Sequence, residues 1–221
     1  MREDLEQEEQ LAALKAFWAT NRKWITTILA ILVLLSFSTT GWRYYKENRL
    51  LKASKLLSSV EQSVEEQKID DAILITNELS KNYASYLQAG LAGLILSKAL
   101  VFDDRVEEAE FQLRKLLNFN SEVSWIARVR LAGLLLDMNK PAEALEILPE
   151  EIPAIWTGIV SDRRGDVLLA LGKKNEAKRA WLKALDGYGK DGAGGIAGNM
   201  VKMKLATIEA LQSVEKKTGA K

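Results

Sequence analysis

Histidine and cysteine are both absent from the 221 residues. Lack of histidine removes the usual general base near neutral pH and the commonest metal ligand. Lack of cysteine excludes thiol nucleophiles, disulfides and thiolate zinc sites, and makes the chain indifferent to redox compartment. Proline occurs only at positions 141, 149 and 153. A surplus of charge is missing too: 31 basic residues face 30 acidic ones, which argues against a nucleic-acid binder. With no nucleophile and base that can be paired, no enzyme, cofactor or metal site is expected.

One long uncharged run stands out, residues 25–42 of "ITTILAILVLLSFSTTGWRYY". Its 18 residues lie near the lower limit for a membrane-crossing helix. Trp24 precedes it and Trp42, Tyr44 and Tyr45 follow, rings that favour a membrane interface. A cleaved signal would have a short basic head, whereas this head is long and acidic ("REDLEQEEQ"); Ser36 and Ser38 imitate a cleavage site only weakly. Residues 24–45 are therefore predicted to be an uncleaved transmembrane anchor behind an acidic, partly amphipathic head, 1–23. Within that head Leu11, Leu14, Phe17 and Trp18 recur at helical spacing. They define either a surface helix or an extension of the anchor helix. Lys15, Arg22 and Lys23 precede the run; Arg43, Lys46, Arg49, Lys52 and Lys55 follow it. That count points to a cytoplasmic carboxyl domain, although long domains translocate largely regardless of charge.

Beyond the run, apolar residues recur every three or four positions and no alternating pattern is sustained, so the remainder is predicted all-α. Four phrases repeat around Ala72, Ala109, Ala144 and Ala177, spaced 37, 35 and 33 residues apart. These spacings bracket the 34-residue tetratricopeptide repeat. In the last unit Gly165 is expected to let two helices approach, Gly172 to end the first helix in a left-handed conformation, and Ala177, Trp181 and Ala184 to fill the contact. Ala132, Asn139 and Ala144 repeat the pattern, and Pro141 suits a first helical turn. Asp104 and Glu107 read as a helix cap and its reciprocal partner. The predicted architecture is one amino-terminal transmembrane helix followed by a tetratricopeptide-like α-solenoid: repeats over 46–198, then a capping helix and tail over 199–221. Such arrays act as interaction scaffolds.

Two further stretches invite chemistry. The glycine-rich "GYGKDGAGGIAGN" follows no strand and lacks the Lys-Ser/Thr pair of a phosphate loop, so it reads as a flexible linker. "SDRRGD" sets Asp162 and Asp166 on one helix face beside two arginines, an ion-pair network rather than an acid/base pair. Trp125, Trp156 and Trp181 read as core residues.

Taken together, "LKAFWATNRKW", the exit "GWRYY", the turn Asp162, Arg164, Gly165, Asp166 with Ala177, Ala180 and Trp181, and the closing "NMVKMKLATI" resemble the YfgM-like family, ancillary subunits of the SecYEG translocon. The resemblance implies a single-pass protein of a Gram-negative inner membrane, with a cytoplasmic amino terminus and a periplasmic repeat domain. Its implied partners are the SecYEG translocon, a membrane-anchored periplasmic chaperone of the prolyl-isomerase type, and secreted client proteins. This topology opposes the charge count. The expected role is that of a non-enzymatic secretion adaptor, with a structural scaffold for envelope assembly or stress signalling as the alternative. No catalytic residues accompany the resemblance.

Overall fold

The structure, a computed structural model, describes residues 2–119, 122–193 and 195–218; the side chains of 2–6, 35, 37–40, 190–193, 211, 212 and 214–218 lie outside the description. The described residues form helices and turns only. They are α1 (Arg2–Glu65), α2 (Ile69–Asn82), α3 (Leu87–Phe102), α4 (Val106–Leu116), α5 (Glu122–Asp137), α6 (Pro141–Glu146), α7 (Thr157–Ala170), α8 (Lys174–Ala193) and α9 (Ile196–Thr218), with a 3-10 turn at Ala154–Trp156. The chain divides into two units, Met1–Lys52 and Ala53–Lys221.

The first unit is part of α1. Residues 7–24 belong to the same continuous helix as the apolar run, so the head extends that helix rather than forming a separate one. Among the described residues no helix is long and apolar enough to cross a membrane. The run read as an anchor includes side chains 35 and 37–40, which lie outside the described set.

The second unit repeats a helical hairpin. Helix α3 packs with α4, α5 with α6 and α7 with α8 in successive pairs; α2 packs on α3, the end of α1 joins their core through Ala53 and Val60, and α9 closes the row against α8. Every first helix stops in the same way. Gln67, Asp104, Asn139 and Gly172 adopt φ of +60°, +60°, +58° and +75°. The next N–H then reaches back five residues: Lys68 to the Ser63 carbonyl, Arg105 to Leu100, Lys140 to Leu135 and Lys173 to Leu168, at 2.7–2.9 Å. This wide turn satisfies carbonyls that a helix end leaves orphaned. It corrects the reading of Asp104, which ends α3 in a left-handed conformation. Arg105 occupies the cap position of α4, and no side-chain cap bond forms there.

From each left-handed residue the chain advances five positions to Ala72, Ala109, Ala144 or Ala177, all fully buried. Twelve residues before each alanine stand Val60, Ser97, Ala132 and Gly165; four after stand Thr76, Leu113, Leu148 and Trp181. As the first set loses bulk from valine to glycine, the second gains it from threonine to tryptophan. The opposite trends keep the summed bulk of the two positions similar from unit to unit, as close packing favours.

The third hairpin is cut short. Pro149 disfavours helix at Leu148 and cannot donate to the ladder, so α6 ends at Glu146. Its stranded carbonyls are met by cations: Arg128 Nη1 donates to Ile147 O (3.1 Å), Arg164 Nη1 to Leu148 O (2.6 Å) and Lys183 Nζ to Glu150 O (3.2 Å). Two buried clusters result. Val160 and Val167 of α7 join the larger one, built from α1 to α6, whereas Leu168 joins the one formed with α8 and α9.

The glycine-rich stretch is only partly a linker. Gly187 packs so tightly that a Cβ there would sit 2.5 Å from the Gly158 nitrogen, and one on Gly158 would sit 2.5 Å from Tyr188 Cδ1. This is close backbone packing of α7 on α8. The departure from helix begins at Gly189, with φ +68°; the side chains of 190–193 and all of Gly194 lie outside the described residues.

Candidate interaction site

The residues 162–166 sit on the middle of α7, and their side chains leave it in three directions. Asp162 and Asp166, one turn apart, share a face and both accept from Lys204 Nζ of α9, at 2.7 and 2.6 Å. The Trp181 indole lies under the same ammonium, 5.8 Å from it, and its Nε1 is 3.2 Å from both Asp162 O and Asp166 Oδ1. One lysine thereby fastens α9 to α7 across the tryptophan of α8. Burial raises the Asp162 pKa, and its Lys204 partner only partly offsets this. Burial, reinforced by the two aspartates, also pushes Tyr188 up to about 12. A carboxylate pair neutralised by a lysine and capped by an indole is a structural clasp.

Gly165 has a different neighbour from the one its motif suggests. A Cβ would lie 2.3 Å from Trp181 Nε1 and 2.4 Å from Cδ1, so the missing side chain makes room for the indole rather than for another backbone. Arg164 bonds Leu148 O and the Glu150 carboxylate. Arg163 points across α5, where Gly133 leaves its guanidinium 3.4 Å from a would-be Cβ.

Ala132, Ala184 and the four repeat alanines are wholly buried, as is Trp181 at 1% exposure. Trp125 and Trp156 are half-buried against the larger cluster. In the other unit, Trp24, Trp42, Tyr44 and Tyr45 are exposed on α1, as are Ile28, Leu29, Ile31, Leu32, Val33 and Leu34. Trp42 and Tyr45 lean together, with Lys46 and Arg49 over their respective rings.

Sequence reasoning missed two features. Lys204 lies 38 residues beyond the nearer aspartate it binds, without a signal in the motif itself. The other is a cleft of about 500 Å³ on the face formed by α3, α5 and α7, lined by Lys98, Val101, Phe102, Arg130, Asp137 and Arg163 among others. Beside it a second cleft of about 440 Å³ runs between α7 and α9, walled by Leu169, Met200 and Met203. Among the described residues no group of three carboxylates is arranged to hold a metal ion.

A row of helical hairpins stacked through small residues, with clefts on the face of their first helices, defines a repeat protein built for contact with other chains. The chain belongs to the tetratricopeptide repeat-like domain family, whose model matches residues 15–210. It is similar to proteins named ancillary SecYEG translocon subunit. Those from Neisseria gonorrhoeae and Aggregatibacter actinomycetemcomitans are 29% and 25% identical, covering 93% and 92% of this chain and 98% of each relative. The one from Escherichia coli is 29% identical over 79% of this chain and 85% of its own length.

Proposed function

We propose that the protein is a membrane-anchored, non-enzymatic adaptor of the secretion translocon. The observation that carries this reading is the similarity, over nearly the whole chain, to relatives named as ancillary subunits of that machine. Residues 24–45 anchor the chain, with Trp24, Trp42, Tyr44 and Tyr45 at the two interfaces. Exposed apolar side chains at 28, 29 and 31–34 support this, because such a surface needs lipid or a partner to cover it. The repeat domain then faces the periplasm and offers its clefts to a membrane-anchored prolyl-isomerase-type chaperone and to emerging clients. Ala72, Ala109, Ala132, Ala144, Gly165, Gly172, Ala177, Trp181 and Ala184 hold the stack, and Asp162, Arg164 and Asp166 tie it to α9 and α6.

The cysteine-free chain makes the test direct. Ala13→Cys and Ala170→Cys, both at exposed positions, are treated in intact cells with a thiol reagent that cannot cross the inner membrane. Labelling of Ala170→Cys alone, together with translocon subunits co-purifying after mild solubilisation, is the expected result. Labelling of Ala13→Cys alone would mean that the positive-inside count governs and would overturn the periplasmic reading.

A further inference from the structure

The two clefts on the repeat face differ in chemistry, and the difference specifies an occupant. In the α3–α5–α7 cleft three cations, Lys98, Arg130 and Arg163, line the wall against one carboxylate, Asp137. Their neighbours within the protein leave that charge largely unspent. Lys98 rests over the Phe102 ring at 5.7 Å. Arg130 gives one N–H to the Leu94 carbonyl. Arg163 has a 3.5 Å contact with Asp166 and an Nε without a hydrogen-bond partner. Phe102 stands 81% exposed at the rim, an uncovered aromatic beside basic groups.

The α7–α9 cleft is of the opposite kind. Its aspartate and lysine are consumed in the clasp, and what remains open is Leu169 with the thioethers of Met200 and Met203, the latter 70% exposed. Methionine walls adapt to apolar side chains of varied shape. The Arg163–Asp166 contact joins the two linings, since one residue belongs to each.

We infer that this face binds an acidic–apolar segment of a partner protein in one polarity, carboxylates toward Lys98, Arg130 and Arg163, and apolar residues toward Met200 and Met203. The inference rests on the adaptor reading and names the partner chemistry of its face. Charge complementarity sets direction and on-rate, while the methionine end supplies tolerance of sequence.

The test uses the full chain in mild detergent and three dye-labelled synthetic peptides: one with four Glu followed by Leu and Phe, one with Gln for every Glu, and one with Lys for every Glu. The acidic peptide is expected to bind, to weaken with added salt, and to outbind the Gln peptide by about tenfold or more. The Lys peptide should not compete. Lys98→Glu with Arg130→Glu should abolish the preference for Glu over Gln. Met203→Lys should weaken both the Glu and Gln peptides, and Phe102→Ala, at an exposed position that folding does not need, should weaken the acidic one. Equal binding of the Glu and Gln peptides, or a preference that survives the double reversal, overturns the inference. Co-purification of translocon subunits with the same variants is read separately. Its absence in wild type would sink the adaptor reading, and its persistence with unselective peptide binding would sink only the proposed occupant.

Discussion

Replacing Gly165 with alanine adds one methyl group where the nearest atoms, Trp181 Nε1 and Cδ1, lie 2.3 and 2.4 Å away. Two effects compete. Alanine in a helix interior is favoured over glycine by about 1 kcal/mol. Against this, the indole is 1% exposed, and overpacking a buried contact costs about 1–3 kcal/mol. Displacing the ring also breaks the Nε1 bonds to Asp162 and Asp166, worth about 1 kcal/mol more. The net expectation is destabilisation by about 1–3 kcal/mol. Gly133→Ala, on a first helix one hairpin earlier, is the control, because its Cβ meets only the Arg163 guanidinium at 3.4 Å. There the propensity gain should dominate, stabilising by up to about 1 kcal/mol. Urea unfolding of the full chain in mild detergent, followed by far-UV circular dichroism, reads both midpoints. Shortening the ring with Trp181→Phe should make the Gly165→Ala penalty smaller, so that the double variant is more stable than the sum of the singles implies. Equal, positive shifts for Gly165→Ala and Gly133→Ala would refute the volume exchange between these positions.

Gln67 holds φ +60° without the freedom of glycine. Gln67→Gly should therefore raise the unfolding midpoint, by about 1 kcal/mol in stability, and a loss would mean that its side chain has a role not visible in the turn. Asp162 has a folded-state pKa above its ordinary 3.8 because burial disfavours the charge. The folded chain thus holds that proton more tightly than the unfolded one, and the associated stability is complete below 3.8 and lost as pH rises through the raised value. Urea midpoints of wild type and Asp162→Asn should consequently shift in favour of wild type on acidification through that window; a shift the other way would show that Lys204 dominates the site.

The repeat was legible because a period survives substitution: alanine at the narrow point of each hairpin is dictated by packing, and its spacing can be measured without knowing what it touches. Individual roles were harder. Asp104 is as acceptable in a left-handed turn as at a helix cap, and only the backbone bond from Arg105 to Leu100 decides between them. Gly165 and Gly187 look alike in sequence, yet one clears space for an indole and the other for a backbone. Asp162 and Asp166 were visible as a pair, whereas Lys204 was not, since helix periodicity specifies which residues share a face and not which distant residue arrives opposite it. The basic cleft draws its three cations, Lys98, Arg130 and Arg163, one each from α3, α5 and α7, so no local window contained them.

Because α7 lends Val160 and Val167 to one buried cluster and Leu168 to the other, it is a seam as well as a helix. From the carboxyl end inward, α9 is tied first by the Glu209–Lys178 ion pair to α8 and then by the Lys204 clasp to α7. The earlier hairpins close their core without any residue of α8 or α9. With Leu168, α8 and α9 thus complete a core of their own, separate from the one beneath the charges that α3 and α5 display.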